Sequence, residues 1–175
     1  ACTGTGGGMK LFCEGVGVEH PDISNASRAI KKSELKKCKK AGVTPIEVKV
    51  GYDGIVVANN KFGDKLSVTR DQLYRATAKE VVVDGKFVVN PYKKWSDIDP
   101  SLPDYKIEVL GPPPTSGTRD AYVELVQHKA CKKLGIKKKG PDGYKERCSA
   151  VREDGGYIEA GENDNLIIHK LGADK

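Results

Sequence analysis

Apolar positions along this chain change period repeatedly, and each change predicts a different element. In TSGTRDAYVELVQHKACKKLG, Tyr122, Leu125, Val126 and Ala130 recur at helical spacing and Gly135 lies just past the last of them, so the segment is the strongest predicted helix. Thr69 before RDQLYRAT is a predicted N-cap, with Asp71 in the first turn of a short helix. Residues 31–40 predict another helix, with Ser33 as a candidate cap and Gly42 beyond its end, and two more are predicted near 144–151 and 164–171. Period-two and β-branched runs predict strands. EVVVDGKFVV is a hairpin turning at Asp84-Gly85, while 22–27 (DISNAS), 46–50 (IEVKV) and 55–58 (IVVA) are single strands. Residues 107–110 form a strand that must stop at Pro112, Pro113 and Pro114, which have no N–H to give a ladder. Residues 1–10 predict a Gly/Thr loop, followed by a short helix carrying Met9, Leu11, Phe12 and Cys13. The alternation of helices and strands without an internal repeat predicts an α/β fold.

Composition narrows the classes. With 175 residues, 38% of them hydrophobic, the chain can bury a core, and it has no apolar run of the roughly 18 residues a membrane span needs. Residues 1–9 have neither the basic start nor the apolar run of a signal peptide, so an exported protein would already have lost it. The net charge of +6 is concentrated in 31–40 and in 129–147, which includes Lys137, Lys138 and Lys139. Tyr144 is the single aromatic residue among these lysines, so they are read as solvated faces with weak electrostatic steering, and nucleic acid is not an expected partner.

Five cysteines and three histidines form no CxxC pair and no zinc-type cluster, so no metal or cofactor is expected. Cys13 and Cys38 flank a predicted strand, and Cys131 and Cys148 lie on successive predicted helices, positions suited to two disulfides and an oxidising compartment. Cys2 is left over. The alternative is five unrelated buried thiols.

Three segments carry candidate chemistry. Ser116, Gly117 and Thr118 stand at the entrance of the strongest helix, where unpaired N–H groups, two hydroxyls and a glycine suit an oxyanion. An ordinary N-cap is the plainer reading of the same residues. GTGGGMK lacks the Gly-Lys-Ser/Thr order of a nucleotide-binding loop, but Thr5 and nearby N–H groups could meet an oxyanion. Ser27 and Arg28 end a predicted strand, where ligands of open α/β sheets bind, and an arginine gives a bidentate fork. Arg119 carries the same choice between anion contact and surface charge.

Taken in order, GTGGGMKLFCEGVG, DISNASR, GYDGIVVAN, NPYKKWSDIDPSLPDYKIEVLGPPPTSGTRDAYVEL and REDGGYIEAGENDN resemble the phosphate-binding proteins that serve bacterial phosphate ABC transporters. The resemblance implies a type II periplasmic binding protein fold, hinged and two-lobed, with 1–49 as part of the first lobe and 50–175 as a nearly complete second lobe of mixed sheet and flanking helices. It implies a periplasmic location, inorganic phosphate and membrane permease subunits as partners, and phosphate contacts from Thr5, Ser27, Arg28, Ser116, Gly117, Thr118 and Arg119. Arg28 stands where many members have an aspartate that accepts the phosphate proton, which leaves Asp53 and Asp120 as candidate acceptors. Members extend further at both ends, so the chain reads as shortened. The alternatives are a truncated homologue with weak or no phosphate binding and a structural or interaction role and, more weakly, a phosphate-ester hydrolase, for which no nucleophile and base pair is visible.

Overall fold

The structure is a computed structural model and describes residues 4–136 and 144–173. Lys137, Lys138, Lys139 and Cys2, singled out above, lie outside the described residues. The chain divides into two compact units, Ala1–Val56 with Pro112–Ala121 and Val57–Gly111 with Tyr122–Lys175.

In the first unit, α1 (Gly4–Phe12) and α2 (Lys32–Lys40) are joined by the Cys13–Cys38 disulfide. Helix α1 begins in the glycine run itself, so the expected loop over 1–10 is helical from Gly4. The reason is local packing: Gly6 N–H donates to Thr115 O at 3.3 Å, and a Cβ on Gly8 would come within 2.9 Å of Ser24 Oγ. Glycine here permits close approach of backbone, and those contacts outweigh its poor helix propensity. Helix α2 is preceded by Lys31, whose N–H donates to Glu34 at 2.7 Å, so a glutamate one turn inside the helix does the capping expected of Ser33.

The strands expected at 22–27, 46–50 and 55–58 are not formed, since neither sheet among the described residues includes them. Ile46, Val48, Val50 and Tyr52 are exposed. A β-branched run is a strand only when a neighbour completes its ladder, and no described strand does so.

The second unit has an apolar core. Helix α3 (Arg70–Thr77) is capped as expected by Thr69, whose Oγ1 accepts from Gln72 N–H. Strands β1 (Glu80–Val83) and β2 (Lys86–Val89) pair antiparallel, with Asp84 at φ 50° and Gly85 at φ 74° in the turn. After α4 (Trp95–Ile98), β3 (Val109–Gly111) pairs parallel with β4 (Tyr157–Glu159), two residues later in its start than the predicted strand. The long predicted helix is present as α5 (Gly117–Tyr122), a π-helical stretch Val123–Gln127 and α6 (His128–Lys133). Two further helices, α7 (Tyr144–Arg147) and α8 (Asp164–Ala173), appear where helical pattern resumed, α7 being the shorter. Leu73, Tyr74, Val81, Trp95, Ile107 and Val126 belong to this core, and the Cys131–Cys148 disulfide is buried within it.

Candidate functional site

Thr5, Ser27 and Gly117 meet in the first unit. The Thr5 and Ser27 hydroxyls share a hydrogen bond at 3.1 Å, and Ser27 N–H donates to Thr5 Oγ1 at 3.2 Å. A Cβ on Gly117 would collide with both hydroxyl oxygens, so glycine is the residue that lets the start of α5 come this close. Thr5 is buried in the first turn of α1, whereas Ser27 and Thr118 are exposed.

Ser116 is buried and its hydroxyl accepts from Thr118 N–H at 3.2 Å, the plainer N-cap role. Its own N–H donates to Pro113 O at 3.0 Å, a turn that the proline run sets. Arg119 is buried and donates to Pro112 O at 2.9 Å.

Arg28 is gripped on two sides. It donates Nε to Asp120 Oδ2 at 2.7 Å, and it forks Glu34 through Nη1 at 2.9 Å and Nη2 at 2.8 Å. Lys31 Nζ reaches the same Asp120 oxygen at 2.6 Å. The hydrogen bond from Arg28 holds the Glu34 carboxyl below its usual range, and Glu34 in turn raises the Arg28 guanidinium. Glu34 was not among the expected site residues, being the one acid in the lysine-rich stretch 31–40. The signal was its position three residues after Lys31, where a glutamate can cap the helix. Asp53, the other candidate acceptor, turns back to accept from Gly54 N–H at 2.7 Å.

The elements therefore join Thr5, Ser27 and Gly117 directly, attach Arg28 to α5 through Asp120, and give Ser116 and Arg119 backbone partners. Among the described residues no group of three or more His, Cys, Asp or Glu is placed to hold a metal. An open cavity of about 320 Å³ in the same unit is lined by Lys10, Cys13, Glu14, Lys37, Lys40 and Ala41, and not by the cradle of Thr5, Ser27 and Gly117. What this cluster offers chemically is hydroxyls and backbone N–H groups in close contact, with the carboxylates Glu34 and Asp120 balanced by Arg28 and Lys31 beside it.

A family described as "PBP superfamily domain" matches residues 2–173. Protein SphX of Synechococcus elongatus is 31% identical over 173 residues, covering 99% of this chain and 42% of that protein. The phosphate-binding protein PstS of Staphylococcus saprophyticus is 35% identical over 127 residues, covering 73% of this chain and 35% of that protein. A crystal structure of a possible phosphate binding protein from Planctomyces limnophilus superposes with a TM-score of 0.44 at 28% identity, over 97% of this chain and 48% of that one. The chain thus spans less than half the length of the curated relatives it matches.

Proposed function

Because this chain belongs to the PBP superfamily domain family, we propose that it is the solute-binding component of a phosphate ABC transporter and that its ligand is inorganic phosphate. The relatives named phosphate-binding proteins support that ligand. The observation that carries the reading is the convergence of Thr5, Ser27 and Gly117, three residues from separate segments, in one polar contact at the start of α5. In this reading Thr5, Ser27, Ser116, Gly117 and Thr118 supply hydroxyl and N–H donors. Arg28 and Arg119 supply charge-assisted ones, which are shorter and stronger than neutral hydrogen bonds. Function is binding without chemistry, in the periplasm, with delivery to membrane permease subunits.

Calorimetric titration of the oxidised chain with orthophosphate, with sulfate as the comparator, tests this. The expected result is saturable binding of one phosphate. Gly117→Ala should weaken it about tenfold or more, because the added methyl occupies the space of both hydroxyl oxygens. Absence of heat with phosphate would leave the chain as a homologue whose role is interaction rather than ligand capture.

A further inference from the structure

Arg28 has five N–H donors fixed in one plane, and among the described residues four of them have partners: Asp120 on Nε, Ala29 O and Glu34 on Nη1, and Glu34 again on Nη2. In a planar guanidinium the remaining Nη2 proton runs parallel to Nε–H. It therefore leaves on the side of Asp120, a residue of α5 whose N–H donates to Ser116 O. The same short helix begins at Gly117, packed on the Thr5 and Ser27 hydroxyls.

We infer that Glu34 is a positioning residue for anion binding: by forking the far edge of Arg28 it fixes the guanidinium plane, so that one N–H is presented beside Asp120 at the start of α5. The inference rests on the phosphate reading of the cradle. Glu34 is itself held, since its Oε2 also accepts from Lys31 N–H at the start of α2, and its side chain is 16% exposed. A flexible surface acid could not orient a guanidinium; one fixed to a helix terminus and disulfide-linked through Cys38, one turn further along α2, can.

The charges make the inference sharp. Glu34 and Asp120 carry two negative charges and Arg28 and Lys31 two positive ones, so the group is electroneutral. If Glu34 acted on the ligand only through its charge, removing that charge would tighten phosphate binding. A positioning role predicts the reverse, because the freed guanidinium loses its fixed plane and the anion must order it on binding.

The test is orthophosphate titration of the full oxidised chain and of Glu34→Gln, whose amide oxygen still accepts from Lys31 N–H and so keeps α2 capped. Binding is expected to weaken about tenfold in Glu34→Gln, and the same substitution in an Arg28→Lys background is expected to change it less than about twofold, since no fork remains to be held. Equal or tighter binding in Glu34→Gln would overturn the inference, as would an equal loss in both backgrounds. A second readout is the resonance of the Arg28 Nη2–H that Glu34 accepts, expected to persist in the parent and to vanish by solvent exchange in Glu34→Gln. If the parent binds no phosphate, the functional reading fails, and this resonance alone decides whether Glu34 fixes the arginine; its persistence in Glu34→Gln would overturn that too.

Discussion

The two units are closed by one disulfide each, yet their interiors are built from different chemistry. The second buries Leu73, Tyr74, Val81, Trp95, Ile107 and Val126 together, and its buried Arg152, Asn90 and Thr77 satisfy backbone carbonyls. Arg152 donates to Ala76 O and Tyr92 O, Asn90 to Arg75 O and Ala78 O, and Thr77 to Leu73 O. In the first unit the buried residues include Thr5, Ser116 and Arg119 beside Met9, Cys13 and Cys38. Hydroxyls and glycines make its close contacts. Such an interior gains little from burial and depends on cross-links and hydrogen bonds, which is the composition expected of a recognition surface rather than a folding nucleus.

The difference should break most visibly at Arg152. Its side chain is 3% exposed, and removing it takes the donor from two carbonyls, the buried Ala76 O and the half-buried Tyr92 O. Arg152→Met is expected to cost about 3 to 4 kcal/mol in urea unfolding followed by the fluorescence of Trp95, the sole tryptophan and a residue of the second unit. Parent-like stability would show that apolar packing alone holds this unit.

Opening the disulfides should separate stability from recognition. Their sequence separations are 25 for Cys13–Cys38 and 17 for Cys131–Cys148, so each is expected to contribute about 3 kcal/mol. The effect on ligand binding should differ. Cys13–Cys38 ties the helix of Thr5 to the helix of Glu34, so replacing both cysteines by serine should weaken phosphate binding by about tenfold. The double serine variant at Cys131 and Cys148 should bind within about twofold of the parent while unfolding earlier. Equal losses of affinity in the two variants would erase the distinction.

The unequal chemistry also explains what could be read from the sequence. In the second unit local signals agreed with the tertiary structure: Thr69 capped α3, Asp84-Gly85 turned the hairpin, and the apolar face with Tyr122 and Val126 faced a core. In the first unit they held for the helix of 31–40, formed as α2, and failed for residues 1–10, 22–27 and 46–50, where the decisive contacts are long-range. The glycines of α1 are helical owing to contacts with Ser24 and Thr115, neither of which a local window contains. The segment 46–58 has strand composition, but composition cannot supply the neighbouring ladder. The hydroxyl residues of the cradle were visible as loop residues at predicted element ends, whereas the partners of Arg28 required knowing that 28, 34 and 120 come together.

A smaller effect sharpens the account of the second unit. Thr77 Oγ1 shares a hydrogen bond with the Tyr122 hydroxyl at 2.8 Å, both buried. Tyr122→Phe should cost about 1 kcal/mol by thermal unfolding and leave phosphate binding unchanged. A change in affinity with no change in melting would place Tyr122 in the recognition machinery instead.

The smallest expected effect is a pH dependence, and its sign follows from which form of the carboxyl is favoured. Arg152 donates to both Asp154 oxygens, at 2.6 and 2.7 Å, with Lys93 Nζ at 2.7 Å, and this holds the Asp154 carboxyl well below the usual range. A depressed carboxyl contributes stability that is fully present above its unfolded pKa, near about 4, and is lost as pH falls through the folded value. The Asp154 side chain is 41% exposed, so solvent screening reduces the contribution to under about 1 kcal/mol. Glu34 is depressed by Arg28 in the same sense but lies in the first unit. Acid unfolding followed by Trp95 should therefore become shallower below pH 4 in Asp154→Asn and keep its slope in Glu34→Gln. Phosphate affinity over the same range should respond to Glu34→Gln and not to Asp154→Asn. If Trp95 reports the Glu34 substitution as strongly as the Asp154 one, the two units unfold as one, and the contrast between their interiors is then one of composition without independent stability.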